Sequence, residues 1–501
     1  MLSKPIQSGL KDTPRALGIH IGKSEALRLG TKGKNLKKPT HAVCANILQN
    51  CSGRSLKQTI CNVNGAAQQT TATCKSVAIV ALAIAMTDTK IETPKTKHNN
   101  GFNFVFLTVT LDMLAIGLLI PILPNLVNSF TGGNVSQAAE LNGWFAMLWA
   151  MSQFLFMPIS GALSDHYGRK PIFLLSNIGQ AIAMALLAFA PNLWILALAR
   201  IISGIMSASV STAYAYIADV FDSQERAAKY GILGAAFGLG FIMGPPLGGW
   251  LSAIDLRLPL KVAAIIAVCN FGYGFFFLRE SIKPELRTNF NWAKANPVST
   301  LSFFRENPKI RGLALVKYLN DIAHVALPAT FVLYALHRFG WGAKESGILM
   351  GVVGVLSVIV QGFLIKPIVK AFGEKHAMFY GLVCGIIGFS GYGLASNYWQ
   401  LGIVAVFASF WGIYGAAVQT FLTSKVSPSE QGRLQGALGS MTATASIIAP
   451  PIFSHIFAFA ISHGARLNIP GMAFLLSAIL ISSALVLANF VTRLEPKRIQ
   501  H

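Results

Sequence analysis

The run Gly161-Ala-Leu-Ser-Asp165-His-Tyr-Gly168-Arg169-Lys170 stands between two long apolar stretches of the chain. Charged side chains are costly inside lipid, so this run belongs at a membrane face. Its glycines allow two helix ends to approach closely, and its charged side chains are able to form a latch there. The run therefore predicts a loop that joins two membrane-spanning helices.

The composition is that of a membrane protein. Hydrophobic residues make up 53% of the 501 residues and charged residues only 12%, whereas soluble domains carry roughly 25% charged residues. Apolar runs of about 20 residues, which are long enough to span a bilayer, recur along the chain. The net charge of +22 is interpreted as Lys and Arg in cytoplasmic loops. Nucleic-acid binding is not predicted, because the sequence outside the apolar segments has no basic face with interleaved aromatic residues.

Sequence motifs of catalysis and cofactor binding are missing. The chain has no His-Glu-x-x-His, no Gly-x-Ser-x-Gly and no phosphate-binding loop, so no enzyme activity is expected. Its six cysteines include no Cys-x-x-Cys pair, and neither a disulfide framework nor a metal site is predicted. Because an ATP motif is missing too, energy is expected to come from an ion gradient, without a cofactor.

Residues 1–99 are predicted to be a basic, disordered N-terminal extension. Residues 1–85 are rich in Lys, Ser, Thr, Gln and Asn and poor in Asp and Glu, a composition that fits an organellar transit peptide. The preferred hypothesis is that translation starts at Met86, because Met86 opens a short polar lead into the first apolar segment.

Twelve apolar segments follow, with approximate limits 103–127, 141–162, 171–190, 193–218, 229–252, 259–278, 310–336, 345–365, 376–396, 399–421, 433–461 and 470–492. We therefore predict an all-α membrane protein with 12 transmembrane helices in two six-helix halves. The halves are residues 100–278 and 310–495, with a cytoplasmic linker 279–309 between them and a tail 496–501.

The loops give an orientation. Loops on the side of Arg169, together with the linker, hold far more Lys and Arg than the opposite loops, so both termini are expected in the cytoplasm of a multi-pass protein in the plasma membrane or bacterial inner membrane. Tyr167-Gly168-Arg169-Lys170 and Phe372-Gly373-Glu374-Lys375 stand at equivalent places in the two halves. Repeats of this kind suit alternating access to a site near the midplane.

Several polar residues interrupt the apolar segments. Asp112 in the first span needs a partner or a function, because an intramembrane carboxylate costs about 2.5–3.5 kcal/mol on insertion scales. It is able to carry a proton, or it forms a hydrogen bond between helices. Gln153 either binds a substrate oxygen or bridges helices. His455 is expected to be a hydrogen-bonded core histidine.

Two further groups carry charge. One face of the seventh span carries Lys317, Asp321 and His324, which are four and three positions apart. Either the three residues relay a proton, or Lys317 and Asp321 simply neutralise each other. Arg200 in the fourth span must stay paired or reach water, and Asp165 or Asp112 is the expected partner.

The fifth span contains Gly240-Phe-Ile-Met-Gly244-Pro245-Pro246-Leu-Gly248-Gly249. Small residues at this spacing allow close helix packing, and the prolines bend the helix. The run is either ordinary tight packing or a seal that limits leakage while the halves rock.

Together these runs resemble the Major Facilitator Superfamily, and within it the drug:proton antiporters of the tetracycline-resistance efflux group. The likeness covers about residues 102–495 and includes Tyr216-Ile-Ala-Asp219, Glu225-Arg226 and the run from Gln431 to Gly436. It implies a monomer that exports small organic compounds or drugs in exchange for protons. It also implies that Asp112 and Gln153 line the substrate and proton path, and that a cytoplasmic gate is formed by Gly161, Asp165, Gly168, Arg169, Lys170, Arg200 and Gly204.

The chain departs from that group at two positions. The group carries membrane aspartates in its third and ninth spans, where this chain has Ala183 and Gly385. Tetracycline is therefore open as a substrate, and proton coupling would depend on Asp112, Asp321 and His324. Proton-coupled uptake of a metabolite and a non-transporting membrane receptor or scaffold are the alternative functions.

Overall fold

The computed structural model describes residues 95–282, 285, 287, 302–427, 430–462 and 469–493. The predicted extension up to residue 94, most of the predicted linker 279–309 and the tail 496–501 lie outside these residues. Lys95–His501 forms one compact unit that contains both predicted halves.

The regular structure of the described residues is helical. The first half contains α1 (Lys95–Phe130), α2 (Val135–Tyr167), α3 (Arg169–Phe189), α4 (Leu193–Ile205), α5 (Ser209–Val220), α6 (Ser223–Ser252) and α7 (Leu258–Phe277). The second half contains α8 (Ser302–Glu306), α9 (Pro308–Phe339), α10 (Ala343–Ile359), α11 (Ile365–Leu394), α12 (Tyr398–Phe410), α13 (Gly412–Thr423), α14 (Gln431–Ser462) and α15 (Met472–Arg493). The prediction of an all-α membrane fold is confirmed.

Eleven helical segments in the described residues are long and apolar enough to cross a membrane. The longest, Ala343–Leu394, has 52 residues, which as a straight helix would measure roughly 78 Å, against a hydrocarbon core of about 30 Å. A π-helical turn over Val360–Leu364 and non-helical backbone at Gly373, with φ 77° and ψ 163°, interrupt this segment. The predicted eighth and ninth spans correspond to a division at Gly373, and the count of twelve stays a prediction.

Backbone breaks repeat between the halves. Gly168, between α2 and α3, has φ 109° and ψ 165°, close to the conformation of Gly373. A positive φ favours glycine because it has no Cβ. The segment α4–α5 breaks at Met206–Ala208, and α12–α13 breaks at Trp411. These matching breaks fit the internal repeat that the sequence suggested.

The two halves meet at the end of the molecule that lies away from Arg169. Ser136 Oγ, near the start of α2, donates to the backbone oxygen of Ala458 at 3.1 Å, and Asn142 Nδ2 donates to the backbone oxygen of Ala329 at 3.0 Å. A Cβ built on Gly143 would lie 2.7 Å from Ser454 Cβ, so α2 and α14 are in close contact here.

At the Arg169 end the glycines of the same helices stand free. A Cβ built on Gly161 in α2, on Gly231 or Gly234 in α6, or on Gly439 in α14 would meet no described atom within 4 Å. Among the described residues, the contacts between the halves thus lie away from Arg169, and no atom covers these four glycines at the Arg169 end.

Candidate functional site

The loop at the Arg169 end is an ion-pair network, which we name the gate cluster: Asp165, Arg169, Asp219 and Glu280. Arg169 Nε donates to Asp219 Oδ2 at 2.9 Å, and Nη1 donates to Asp165 Oδ1 at 2.6 Å. The Arg169 residue is only 7% exposed. A buried arginine with two carboxylates satisfies its donors and fixes the junction of α2, α3 and α5.

Glu280 attaches the segment after α7 to the start of α3. Its Oε1 accepts from the backbone N–H of Arg169 at 2.8 Å, and its Oε2 accepts from the backbone N–H of Lys170 at 3.2 Å. A carboxylate at a helix N-terminus satisfies free donors and favours the helix dipole. A Cβ on Gly168 would lie 2.2 Å from Glu280 Oε2, so the capping contact requires glycine there.

The sequence predicts gate roles for Asp165, Gly168, Arg169 and Lys170, but none for Asp219 or Glu280. Lys170 Nζ donates to the backbone oxygen of Phe275 at 2.9 Å, which ties α3 to α7. Asp219 was visible in the sequence as a carboxylate at the end of a span. Glu280 gave no signal, because its contact joins residues more than 100 positions apart.

Arg200, which the sequence predicts as part of the gate, forms no ion pair with a gate carboxylate among the described residues. Arg200 lies in α4, and the break at Met206–Ala208 separates it from Asp219 in α5. Its Nε has no hydrogen-bond partner in the described part of the chain, and its guanidinium lies over the ring of Trp149 at 5.3 Å. Neither expected partner reaches it, because Asp165 pairs with Arg169 and Asp112 bonds elsewhere.

Gly204, also predicted as a gate residue, lies in α4 one helical turn after Arg200. A Cβ built on Gly204 would lie 2.5 Å from the backbone oxygen of Trp149 and 2.7 Å from Ser152 Cβ. Gly204 is therefore a close-packing position between α4 and α2. Gln153 lies nearby, and its Nε2 donates to Ser207 Oγ at 2.7 Å, so in this conformation Gln153 bridges α2 to the break between α4 and α5.

Asp112 is buried inside the first half, with 6% of the residue exposed. Its Oδ1 accepts from Asn270 Nδ2 in α7 at 3.2 Å. Its Oδ2 has no partner within hydrogen-bonding distance among the described residues, and the side chain of Ser209 in α5 is the other polar group that faces this carboxylate. Asp112 therefore faces another helix of its own half, with one carboxylate oxygen left for a proton or a further donor.

Lys317, Asp321 and His324 fall on one side of α9, as their spacing predicts. Lys317 Nζ donates to Asp321 Oδ2, and Thr442 Oγ1 in α14 donates to the same oxygen at 2.6 Å. His324 is exposed and lies edge-on to Trp411, with ring centroids 4.8 Å apart. The charged pair therefore joins α9 to α14, while His324 and Trp411 form a separate aromatic pair beside it.

The glycine–proline run of α6 contacts both halves. Cβ atoms built on Gly240, Gly244 and Gly248 would lie 2.3 to 2.6 Å from atoms of α1, including the Cα of Gly117. Gly249 faces α10 instead, where its Cβ would lie 2.7 Å from the backbone oxygen of Ala343. A Cβ on Gly347 of α10 would lie 2.3 Å from the backbone oxygen of Pro245. The run is thus a close-packed junction within the first half and across to the second.

Gly249→Val is expected to weaken the closure between the halves. A branched side chain would meet Ala343, and overpacking costs roughly 1–3 kcal/mol. Cysteines in place of Ser136 and Ala458, which are in contact in this conformation, report closure through a short bifunctional thiol reagent. We expect the cross-linking yield to fall by about fivefold or more, as a cost of that size implies. In Gly402→Val the Cβ meets no described atom within 4 Å, so its yield is unchanged; equal yields from the two variants would contradict the account.

His455 is not a core residue, contrary to the sequence expectation. Its side chain is 72% exposed and its Nδ1 lies 3.2 Å from Glu140 Oε1. Because Glu140 is in α2 and His455 in α14, this pair also lies between the halves, at the closed end. Its exposure makes its contribution small.

The family model of the Major Facilitator Superfamily matches residues 105–450. The chain belongs to the Major Facilitator Superfamily. It is 36% identical over 362 residues to the class C tetracycline resistance protein of Escherichia coli, covering 72% of this chain and 91% of that protein. It is 26% identical to Hippocampus abundant transcript-like protein 1 of Bos taurus, covering 72% and 75% of the two chains. The predicted resemblance to the tetracycline-resistance efflux group is confirmed.

Solved structures support the same fold. The human organic anion transporter MFSD10 (TETRAN) superposes with a TM-score of 0.59 at 24% identity, covering 78% of this chain and 99% of that chain. A bacterial homolog of the human lysosomal transporter Spinster, in its inward-facing and unoccupied conformation, gives a TM-score of 0.63 at 16% identity, with 80% and 98% covered. These similarities concern the fold.

The two departures from the tetracycline-resistance group are both interior positions. Ala183 in α3 is fully buried. A Cβ built on Gly385 in α11 would lie 2.6 Å from Trp411 Cδ1. An aspartate at position 385 would therefore require Trp411 to move, so the second half is packed around a glycine there.

Proposed function

We propose that this superfamily member is a proton-coupled antiporter, not an enzyme, and that it exports small organic compounds or drugs across the plasma membrane or bacterial inner membrane by alternating access. The proposal is carried by one observation: among the described residues, the contacts named above between the halves lie away from Arg169. An opening on the Arg169 side would give a substrate access from that side. Rocking of the two halves about the α6–α10 and α2–α14 contacts would then close this opening and create one on the opposite side of the membrane.

The proton gradient is the proposed energy source, without a cofactor. Asp112 supports this role, because it is a buried carboxylate with an unpartnered oxygen in a region where ionisable groups are rare and functional. The pair of Lys317 and Asp321 is neutralised within the second half. Among the predicted path residues, Asp112 is therefore the preferred proton carrier.

The substrate is proposed to bind between the halves as a small, largely apolar compound, carried by a monomer. His324 and Trp411 offer an aromatic surface with a hydrogen-bonding ring, and aromatic surfaces of this kind suit flat organic molecules. The relatives named for tetracycline resistance make tetracycline a compound to test, but the glycine at 385 and the alanine at 183 favour a different compound.

The test is a drug-susceptibility panel that includes tetracycline. Cells without their main efflux pumps would express residues 86–501 or the full chain, with and without a protonophore. We expect resistance to some compounds, and its loss when the proton gradient is collapsed. Resistance that survives the protonophore would contradict proton coupling. Good membrane expression without any resistance would contradict drug export and favour metabolite uptake.

A further inference from the structure

The interior of the first half contains a concentration of unpaired polar atoms. Eleven buried side-chain N and O atoms in the described residues have no hydrogen-bond partner, and six of these belong to one set of neighbouring helices. We name these residues the polar chamber: Thr108 and Asp112 in α1, Asn177 and Gln180 in α3, and Asn270 in α7. Each of them is 8% exposed or less.

An aromatic layer lies between the polar chamber and the Arg169 end. The ring of Phe104 in α1 lies 6.4 Å from that of Phe173 in α3 and 5.1 Å from that of Tyr273 in α7. A Cβ on Gly274 would contact both Phe104 and Leu174. The three helices therefore meet at this level.

One helical turn further from the Arg169 end, each helix presents a polar residue. Positions four apart share a helix face, so Thr108 follows Phe104 and Asn177 follows Phe173, while Asn270 precedes Gly274. The hydrogen bonds agree with this register. Asn270 Nδ2 donates to the backbone oxygen of Thr108 at 3.3 Å as well as to Asp112.

The next turn brings Asp112 and Gln180 to one level, since they lie four positions after Thr108 and three after Asn177. Ser176 links the same face of α3 to the fourth span, where its Oγ accepts from the backbone N–H of Ser209 at 3.1 Å. The chamber is thus bounded by α1, α3, α5 and α7, all within the first half.

Five of the six unpaired atoms are oxygens and one is an amide nitrogen. Leaving six buried polar atoms without partners would cost a free energy comparable with the whole stability of a domain. One buried water molecule makes about three hydrogen bonds to such groups, so a few waters would satisfy these atoms. Asp112 is the one carboxylate among the five residues, so the set lacks the negative charge that a divalent metal would need.

We propose that the polar chamber is hydrated and that its waters relay protons to and from Asp112. This route is separate from the space between the halves, where the substrate is proposed to bind. This inference rests on the proposed proton coupling. The route follows the chamber oxygens from Gln180 and Asn177 to the free Oδ2 of Asp112. The aromatic layer of Phe104, Phe173 and Tyr273 limits water entry from the Arg169 end.

The first test is an experimental map of the purified full chain at a resolution that shows ordered water. We expect water within hydrogen-bonding distance of Asp112 Oδ2 and of the Asn177 and Asn270 amides. Direct pairing of these side chains, without water, would overturn the chamber. A single density surrounded by the five oxygens at ion-binding distances would overturn it in favour of a monovalent cation site.

The second test follows proton arrival by infrared spectroscopy after a rapid drop in pH. The carbonyl stretch of a protonated buried carboxyl is assigned with Asp112→Asn. In Asn177→Leu, and separately in Gln180→Leu, we expect its appearance to slow by about tenfold, as the loss of hydrogen-bonding links implies. Asn128→Leu removes another buried, unpaired amide oxygen of α1 and should leave the rate unchanged.

The outcomes separate the two proposals. If the carbonyl band of the protonated carboxyl remains in Asp112→Asn, Asp112 is not the proton carrier, and the part of the proposed function that depends on Asp112 is wrong. If Asp112→Asn removes the band but both leucine variants keep the wild-type rate at unchanged thermal stability, the relay fails while the proposed function stands.

Discussion

Asp112→Asn is expected to abolish proton-driven transport while substrate binding remains. Asparagine keeps the size of the side chain and accepts the hydrogen bond from Asn270, but it cannot take up a proton. We expect uphill transport in energised vesicles to fall by at least about 100-fold, a factor typical of removing a positioned proton carrier. Exchange of substrate across the membrane, which needs no net proton movement, should stay within about twofold of wild type.

The matched control is Asp255→Asn. Asp255 is also a carboxylate, but its side chain is 45% exposed and paired with Lys261 in the loop before α7. The same chemical change there should leave both activities intact. Full uphill transport in Asp112→Asn would move the proton role to Asp321 and His324, and loss of both activities would indicate a structural role for Asp112.

Arg169→Ala is expected to lower the stability of the protein strongly. Removal of the guanidinium leaves Asp165 and Asp219 facing each other without their shared cation. Breaking a buried ion pair costs about 3–5 kcal/mol, and the lower end applies here because Asp165 is 49% exposed. We expect a fall of several degrees in apparent Tm of the detergent-solubilised protein, together with loss of transport.

Arg433→Ala provides the comparison. Arg433 pairs with Glu306, and both side chains are more than half exposed, so the pair contributes about 1 kcal/mol or less. Its apparent Tm should stay close to wild type. A similar fall in both variants, or none in Arg169→Ala, would show that the gate cluster does not hold α2, α3 and α5 together.

The sequence allowed the fold to be predicted because lipid restricts what a spanning segment contains. Apolar length located the helices, and the glycines and charges around Gly168 located the gate loop. The 52-residue segment Ala343–Leu394 is continuous where the sequence predicts two spans, because the backbone at Gly373 bends without leaving the helix for a loop.

The partners of the charged residues were harder to predict. Arg200 was assigned to a carboxylate because a buried arginine needs one, yet the structure gives it the face of Trp149. The Glu280 contact with the start of α3 depends on how α7 returns to the Arg169 end. Such contacts depend on tertiary geometry, which residue type and spacing do not specify.

We expect the two ends of the molecule to open and close reciprocally under the control of Asp112. Spin labels at Glu140 and His455 report the closed end, where these residues lie in opposite halves. Labels at Tyr167 and Phe372, both exposed, report the equivalent loops at the Arg169 end.

Pulsed electron paramagnetic resonance would measure both distances in the full chain as the pH is lowered. We expect one distance to lengthen as the other shortens, and Asp112→Asn to show at every pH the distance distribution that the wild type shows in acid. Distances that do not respond to pH, that change in the same direction, or that respond equally in Asp112→Asn would contradict it.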